Sequence, residues 1–160
     1  MYTIDFIPEE KLDSIIPLLE LLNPDTSTQV ITERLNEIKR TEYKCVGVFD
    51  DSKLIAISGI WILNKIYAGK HIEPDNVIVD PGYRGKGIGK LMMEWIHQYA
   101  IGIGCLTSEL NARISNEQGS SFWKEMGYEV VGYHFIKSLN VGDDQNRNVN
   151  TCLNDLKQNK

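Results

Sequence analysis

The sequence predicts an α/β (α+β) fold, a mixed, mostly antiparallel central sheet with helices on both faces. Three features of the chain carry that expectation. The β-rich runs Tyr43 to Phe49 and Leu54 to Leu63, and a third ending at Val79, follow one another through short turns, which makes them antiparallel neighbours. A strand end, a glycine-spaced loop and an amphipathic helix then occur in succession from Val77 onward. The run Cys105 to Leu110 comes after that helix, so the crossover rule lays it parallel to the strand of Val77.

Taken in order, Tyr2 to Ile7 alternates Tyr2, Ile4 and Phe6 with Thr3 and Asp5, as a half-buried strand does. Pro8 opens a helix with an apolar face of Leu12, Ile15, Ile16, Leu19 and Leu22, and Pro17, which removes a main-chain donor, predicts a bend near its middle. Asn23-Pro24-Asp25 breaks the chain, and Thr26 or Ser27 caps a second helix carrying Val30, Ile31, Leu35 and Ile38. Asp50 to Lys53 is a hairpin signal, and a second turn is expected near Asn64-Lys65. After the glycine loop, Leu91, Met92, Trp95, Ile96 and Tyr99 mark one helical face. Ser115 and Gln118 form a capping-box pattern before a helix with Phe122, Trp123 and Met126, ended by Gly127. Two last strands are expected at Tyr128 to Val131 and Tyr133 to Leu139. Residues 1–139 are thus read as one domain and 140–160 as a polar tail, in which Val149, Cys152, Leu153 and Leu156 could form a short amphipathic helix.

With 160 residues, 42% of them hydrophobic, the chain has the size of one domain with a substantial core. Its 17 basic and 22 acidic residues give a net charge of −5, and the basic ones form no block, so no nucleic-acid partner is expected. The N-terminus lacks the basic and apolar regions of an export signal, and no apolar run is long enough to span a membrane, which gives the expectation of a cytoplasmic protein without a membrane partner. Cys45, Cys105 and Cys152 have neither disulfide-framework nor zinc-site spacing, and His71, His97 and His134 share no metal-site spacing, so no metal is expected.

The chemistry lies in Val77-Ile78-Val79-Asp80-Pro81-Gly82-Tyr83-Arg84-Gly85-Lys86-Gly87-Ile88-Gly89-Lys90. Glycines at 85, 87 and 89 let a ligand approach the backbone, and the helix that starts there turns its unpaired N–H groups and positive dipole end into the loop. A Walker loop does not fit, because Leu91 follows Gly89-Lys90 and Arg84 stands where the first glycine should be. A dinucleotide fingerprint does not fit either, since the spacing is G-x-G-x-G; Glu109 could serve as its acidic residue only with the wrong glycine spacing. The stretch resembles the Arg/Gln-x-x-Gly-x-Gly/Ala signature of the GNAT superfamily of acyl-CoA-dependent N-acetyltransferases, matched by Arg84, Gly87 and Gly89. The likeness extends to Asn116 through Gly127-Tyr128, similar to the family's second motif, and covers roughly residues 2 to 139.

That resemblance implies a sheet whose two parallel strands splay apart to admit the pantetheine arm of acetyl-CoA. It would place main-chain groups of Val77, Ile78 and Val79 along the pantetheine, and the N–H groups of Arg84, Gly85, Lys86, Gly87, Ile88 and Gly89 around the pyrophosphate, with Arg84, Lys86 and Lys90 able to add charge. Asn116 would reach the pantetheine arm. Trp123 occupies the position at which many members carry a tyrosine that protonates the leaving thiolate; an indole N–H donates a hydrogen bond but delivers no proton, so Tyr128, Tyr133, Ser120 or water is left for that role. Gly119 replaces the motif's alanine.

Transfer of an acetyl group to an amine that is mostly ammonium at neutral pH calls for a base. Glu73 and Asp75 stand two apart on the strand before Val77, on one side unless a bulge intervenes, with Pro74, which cannot donate to a ladder, between them. Glu73, four residues before Val77, resembles in place a glutamate that serves as base in several GNAT enzymes; Asp75 is the runner-up. The expected function is acetyl transfer from acetyl-CoA to a primary amine of a small molecule by direct attack in a ternary complex. The alternatives are a peptide or protein amine as acceptor, or a CoA-binding regulatory module without catalysis. Asn23, Trp61 and Tyr67 would contribute to the acceptor side, and homodimerisation is left open. The ending Gly132 to Leu139 looks like that of aminoalkylphosphonate and aminoglycoside acetyltransferases, which favours small amines.

Overall fold

The computed structural model describes residues 1–137 and 139, so the short helix expected at Val149 to Leu156 lies outside the described residues. The chain divides into two compact units, Met1–Leu110 and the part from Asn111 onward. The first holds a five-stranded sheet in the order β1 (Tyr2–Phe6), β2 (Lys44–Asp50), β3 (Lys53–Lys65), β4 (Gly69–Val79), β5 (Thr107–Ser108). The first four strands pair antiparallel and β5 is parallel to β4, as the order of turns and crossover requires. The turn between β3 and β4 falls at residues 66–68, beyond Asn64, because Asn64 and Lys65 still pair with Lys70 and Gly69.

Each face of the sheet is covered. Cys45, Ile57 and Ile78 join Leu12, Ile15, Leu18, Leu19, Ile31 and Leu35 in one core, so the helices before β2 cover that side. The first of these is broken where a bend was expected. A 3-10 segment, Glu9–Ile15, gives way to α1 (Ile16–Leu22) with Pro17 in its first turn, where the missing N–H costs no hydrogen bond. Ser27 caps α2 (Thr28–Ile38), its side chain accepting from the Val30 N–H. On the other side lies α3 (Ile88–Gly102), which buries Ile88, Met92, Met93, Ile96 and Ala100. Each large apolar side chain so covered contributes about 1.5–3 kcal/mol. The buried stripe is centred on Ile88-Met92-Ile96, so Leu91 is exposed, and Trp95 and Tyr99 flank it to meet Phe6 of β1 edge-on at 5.3 and 4.9 Å.

The second unit contains α4 (Glu117–Glu125). Its N-cap is Asn116, one residue past the expected Ser115, with Oδ1 accepting from the Gly119 N–H at 2.8 Å. A Cβ at Gly119 would run into the Asn116 side chain, which gives a local reason for glycine there. No strand forms from Tyr128 to Lys137, and Val130, Val131, Tyr133 and Phe135 are exposed. Apolar and aromatic composition predicted strands there, but a strand exists only through a partner ladder and this segment has none among the described residues.

One close contact in the core is testable. Gly59 of β3 lies under the buried Tyr43 ring, so that an added Cβ would come 2.6 Å from Tyr43 Cζ. Overpacking of this kind costs about 1–3 kcal/mol. Urea unfolding should show Gly59→Ala destabilised by that amount, with much of the loss absent when the same change is made in a Tyr43→Ala background.

Candidate functional site

The site begins with an irregularity in β4. Ile57 and Gly59 of β3 pair with Ile78 and Asp75, so two steps along β3 match three along β4, and Asn76 takes φ 50°. This is a β-bulge, and asparagine tolerates the left-handed conformation better than most residues. The Asp75 carboxylate holds it in place. Its Oδ1 accepts from Asn76 N–H at 2.9 Å, and its Oδ2 accepts from Asn76 Nδ2 at 2.8 Å and from Trp61 Nε1 at 3.4 Å.

The bulge reverses which main-chain groups face outward. Before it, the carbonyls of Lys70 and Ile72 accept from Leu106 and Glu109, so this alternate set points to β5. Pro74 is the next member and has no N–H to offer. The β4–β5 register ends at Ile72 and Ser108, and the parallel pair splays apart beyond it. After the bulge, Asp80 N–H donates inward to Ile55, leaving Val77 and Val79 turned to the open side while Ile78 is buried. Arg84 Nε donates to the Val79 carbonyl at 3.2 Å, which ties the following loop to the strand end.

That loop runs through a 3-10 turn, Pro81–Tyr83, capped by Asp80, whose Oδ1 accepts from the Gly82 N–H. Gly85 and Gly87 adopt φ 73° and 77°, and Gly87 is the N-cap of α3 with no side-chain cap bond. The N–H groups of Ile88, Gly89 and Lys90 belong to the first helical turn, which has no intrahelical acceptors. With Lys86 Nζ on the Gly82 carbonyl at 3.2 Å and over the Tyr83 ring, the helix end presents main-chain donors and positive charge together.

Glu73 and Asp75 lie on one face of β4, with Trp61 and Gly59 as their β3 partners, since the bulge falls just after them. Glu73 Oε1 accepts from Lys65 Nζ at 2.8 Å and meets His71 Nε2 at 3.1 Å; Lys65 also donates to Glu109 Oε2 at 2.7 Å. Burial pushes the Glu73 carboxyl up, but the Lys65 and His71 bonds outweigh it and hold it below the usual glutamate range. Bonds to Glu109 and Glu73 push Lys65 up. Two carboxylates and an imidazole would suit a divalent cation, but here the Lys65 ammonium lies between the carboxylates and supplies the compensating charge. Burial pushes the Cys45 thiol up to about 12, which makes it an inert core group.

The fold therefore brings Glu73, Asp75, Val77, Val79 and the loop from Arg84 to Gly89 onto one strand–loop–helix unit. Asn116 and Trp123 belong to the second unit, where Trp123 packs between Phe122 and Tyr128 at 4.8 and 5.4 Å. Residues 13–128 match the acetyltransferase (GNAT) family. The chain belongs to that family. A peptidyl-lysine N-acetyltransferase of Salmonella typhimurium is 37% identical over 74 residues, 46% of each chain, so the match spans less than half of that relative. Among solved structures, an aminoglycoside N-acetyltransferase in complex with CoA superposes with a TM-score of 0.75 at 14% identity, covering 88% of this chain and 96% of the other. Glucosamine-6-phosphate N-acetyltransferase from Arabidopsis thaliana gives 0.66 at 21% identity, covering 88% and 99%. These GNAT structures share the mixed sheet with its splayed parallel pair.

Sequence pattern does not single out Lys65 or His71 as site residues, and Glu109 enters there only as a wrongly spaced fingerprint residue. The spacing of His71 to Glu73 held the signal, because i and i+2 on a strand share a face. Lys65 and Glu109 become neighbours only through the β3–β4 register and the short β5.

The ion pair makes stability depend on pH. Glu73, held low, contributes stability that is full above the ordinary glutamate value of about 4.3 and is lost as pH falls through its folded value. Lys65, held high, contributes below about 10.4 and is lost as pH rises through its own folded value. In urea unfolding, the stability difference between the parent and Lys65→Met should be largest at neutral pH and shrink towards pH 3.5.

Proposed function

We propose that the chain is an acetyl-CoA-dependent N-acetyltransferase whose acceptor is a primary amine, with Glu73 as general base. The observation that carries this reading is the juxtaposition of a charged, half-buried carboxylate with the open edge of β4 and the uncapped N-terminus of α3. These parts fit CoA. The outward main-chain groups of Val77 and Val79 suit the pantetheine amides, and the N–H groups from Gly85 to Gly89 suit the pyrophosphate, with Lys86 adding charge; the Arg84 N–H is already bonded to the Pro81 carbonyl. Ile78 and Ile88 anchor the strand and helix from the core side. Acetyl-CoA, when bound, supplies the thioester acyl group, which the amine attacks directly in a ternary complex. Glu73 takes the amine's proton, the step that turns a cation into a nucleophile. Asp75 is the weaker candidate, because both its oxygens are engaged in the bulge.

Aminoglycoside and glucosamine-6-phosphate N-acetyltransferases among the structural relatives support a small-molecule amine. A second reading, a peptide lysine as acceptor, is favoured by the name of the Salmonella relative and by the lysine ammonium already seated on Glu73. The absence of a tyrosine at Trp123 leaves the leaving-group proton to another donor.

Two substitutions test these assignments. Gly87 is unsuited as a probe of the loop, because its φ of 77° would strain any other residue. Gly89 lies within α3, without positive φ, so Gly89→Leu keeps the helix while placing a side chain at the donor end. Calorimetry should show CoA affinity reduced at least about tenfold, a loss of about 1.4 kcal/mol, with the melting temperature preserved. Equal affinity would remove the loop from the CoA site. Glu73→Gln should lower kcat on the order of 10²–10⁴-fold with CoA affinity unchanged, and its residual rate should climb with pH as free amine accumulates.

A further inference from the structure

His71 is fully buried, yet both of its ring nitrogens meet oxygen. Nδ1 lies 3.1 Å from the Gly69 carbonyl, which has no proton to give, so Nδ1 is the donor there. In a neutral imidazole Nε2 would then carry a lone pair, and at 3.1 Å it would face the lone pairs of Glu73 Oε1. Two acceptors at that distance repel. A proton must lie between Nε2 and Oε1, on one atom or the other.

The surrounding charges decide which. The charged groups that meet at His71 are Lys65 from β3, Glu73 from its own strand and Glu109 beyond β5; one polar atom each of His71, Glu73 and Glu109 lies within 4.8 Å of the others. One lysine balances one of the two carboxylates. With His71 as imidazolium the four groups sum to zero, and every short contact joins a donor to an acceptor. With His71 neutral and Glu73 ionised, the cluster would carry a net negative charge and one acceptor–acceptor contact. Protonating Glu73 instead would set a neutral acid against the Lys65 ammonium, which favours the ionised form.

We propose that His71 is a positioning residue held as an imidazolium, whose Nε2–H, together with Lys65, fixes Glu73 Oε1 and leaves Oε2 as the oxygen that takes the acceptor's proton. The part played by Oε2 rests on Glu73 being the base; the charge of the ring does not. In the step itself the N–H bond of the acceptor ammonium breaks, its electron pair stays on nitrogen, and the proton forms a bond to Oε2. His71 neither gains nor loses a proton, which keeps the buried ring at constant charge through the cycle.

The first test is nitrogen-15 NMR of imidazole-labelled full-length protein at pH 7, with the His71 signals assigned by their loss in His71→Gln. Both His71 ring nitrogens are expected to show directly bonded protons. A ring nitrogen without a proton would overturn the proposal whatever Glu73 does in catalysis, and the readout itself is taken on the unsubstituted protein. The second test is kinetic. A glutamine at 71 can donate to Glu73, so His71→Gln should recover part of the rate that His71→Leu loses. His71→Leu should lose roughly 10–100-fold in kcat, the factor that corresponds to one hydrogen bond to a charged group. Its kcat/KM profile should also have its acid limb displaced to higher pH, because one of the two donors that keep Glu73 ionised is gone. An unmoved acid limb in folded His71→Leu, with Glu73→Gln slow, would overturn the positioning role. If Glu73→Gln runs at the parental rate, the assignment of the base fails instead, and the charge of the ring is still decided by NMR.

Discussion

The bulge at Asn76 is the constraint on which the rest of the site depends. An unbroken β4 would keep Glu73, Asp75, Val77 and Val79 on one alternating series, with their main-chain groups all directed to β3. One extra residue separates the two halves. Glu73 and Asp75 keep their side chains on the face that also carries Trp61, while Val77 and Val79 turn their backbone towards the gap beside β5. The left-handed conformation costs on the order of 1 kcal/mol for a residue with a side chain. Three hydrogen bonds onto the Asp75 carboxylate offset it. Asp75 thus shapes the strand, whereas Glu73, two residues earlier, bonds Lys65 and His71 instead.

The charges on that face follow the logic of partly buried ion pairs. Lys65 and Glu73 are 31% and 23% exposed, too buried for water to solvate either fully. Lys65 also pairs with Glu109, and Glu73 also meets His71, so removing one member unbalances the whole cluster. The arrangement also tunes reactivity in a definite direction. A carboxylate held below its usual range is ionised at neutral pH, so under the proposed role Glu73 would be ready in the ground state at some expense of basicity. Glu73 Oε1 is already shared by Lys65 and His71, so in the reaction we propose the acceptor ammonium would meet the other oxygen.

Much of the architecture was legible in the chain because it rests on local signals. Short turns gave the antiparallel strands, the interposed helix gave the parallel one, and glycines 85 and 87 stand where positive φ is needed. The less legible features depend on register. Whether Glu73 and Asp75 share a face turned on the location of a bulge that no residue type announces, since asparagine is common in regular turns as well. Lys65 joins the cluster across a hairpin whose turn lies two residues later than the sequence suggested. Tyr128 to Lys137 failed for the complementary reason, because its apolar residues state a preference that only a neighbouring strand could satisfy.

The glycine loop before α3 has little left to order. Asp80 caps the 3-10 turn and pairs with Lys53 at 2.9 Å, Tyr83 hydroxyl donates to Asp50, and Arg84 holds the Val79 carbonyl. Ile88, the first residue of α3, is buried in the core. Each of these contacts fixes a different residue of the same short stretch, so its backbone donors are set in place by the fold and not by a ligand. Association costs include the ordering of groups at the interface, and a loop already ordered avoids that part. The same contacts link the loop to β2, β3 and β4. In the reaction we propose, which would hold an anion at the loop and a base at Glu73, the positioning of the two groups relative to each other would matter more than the strength of either contact alone.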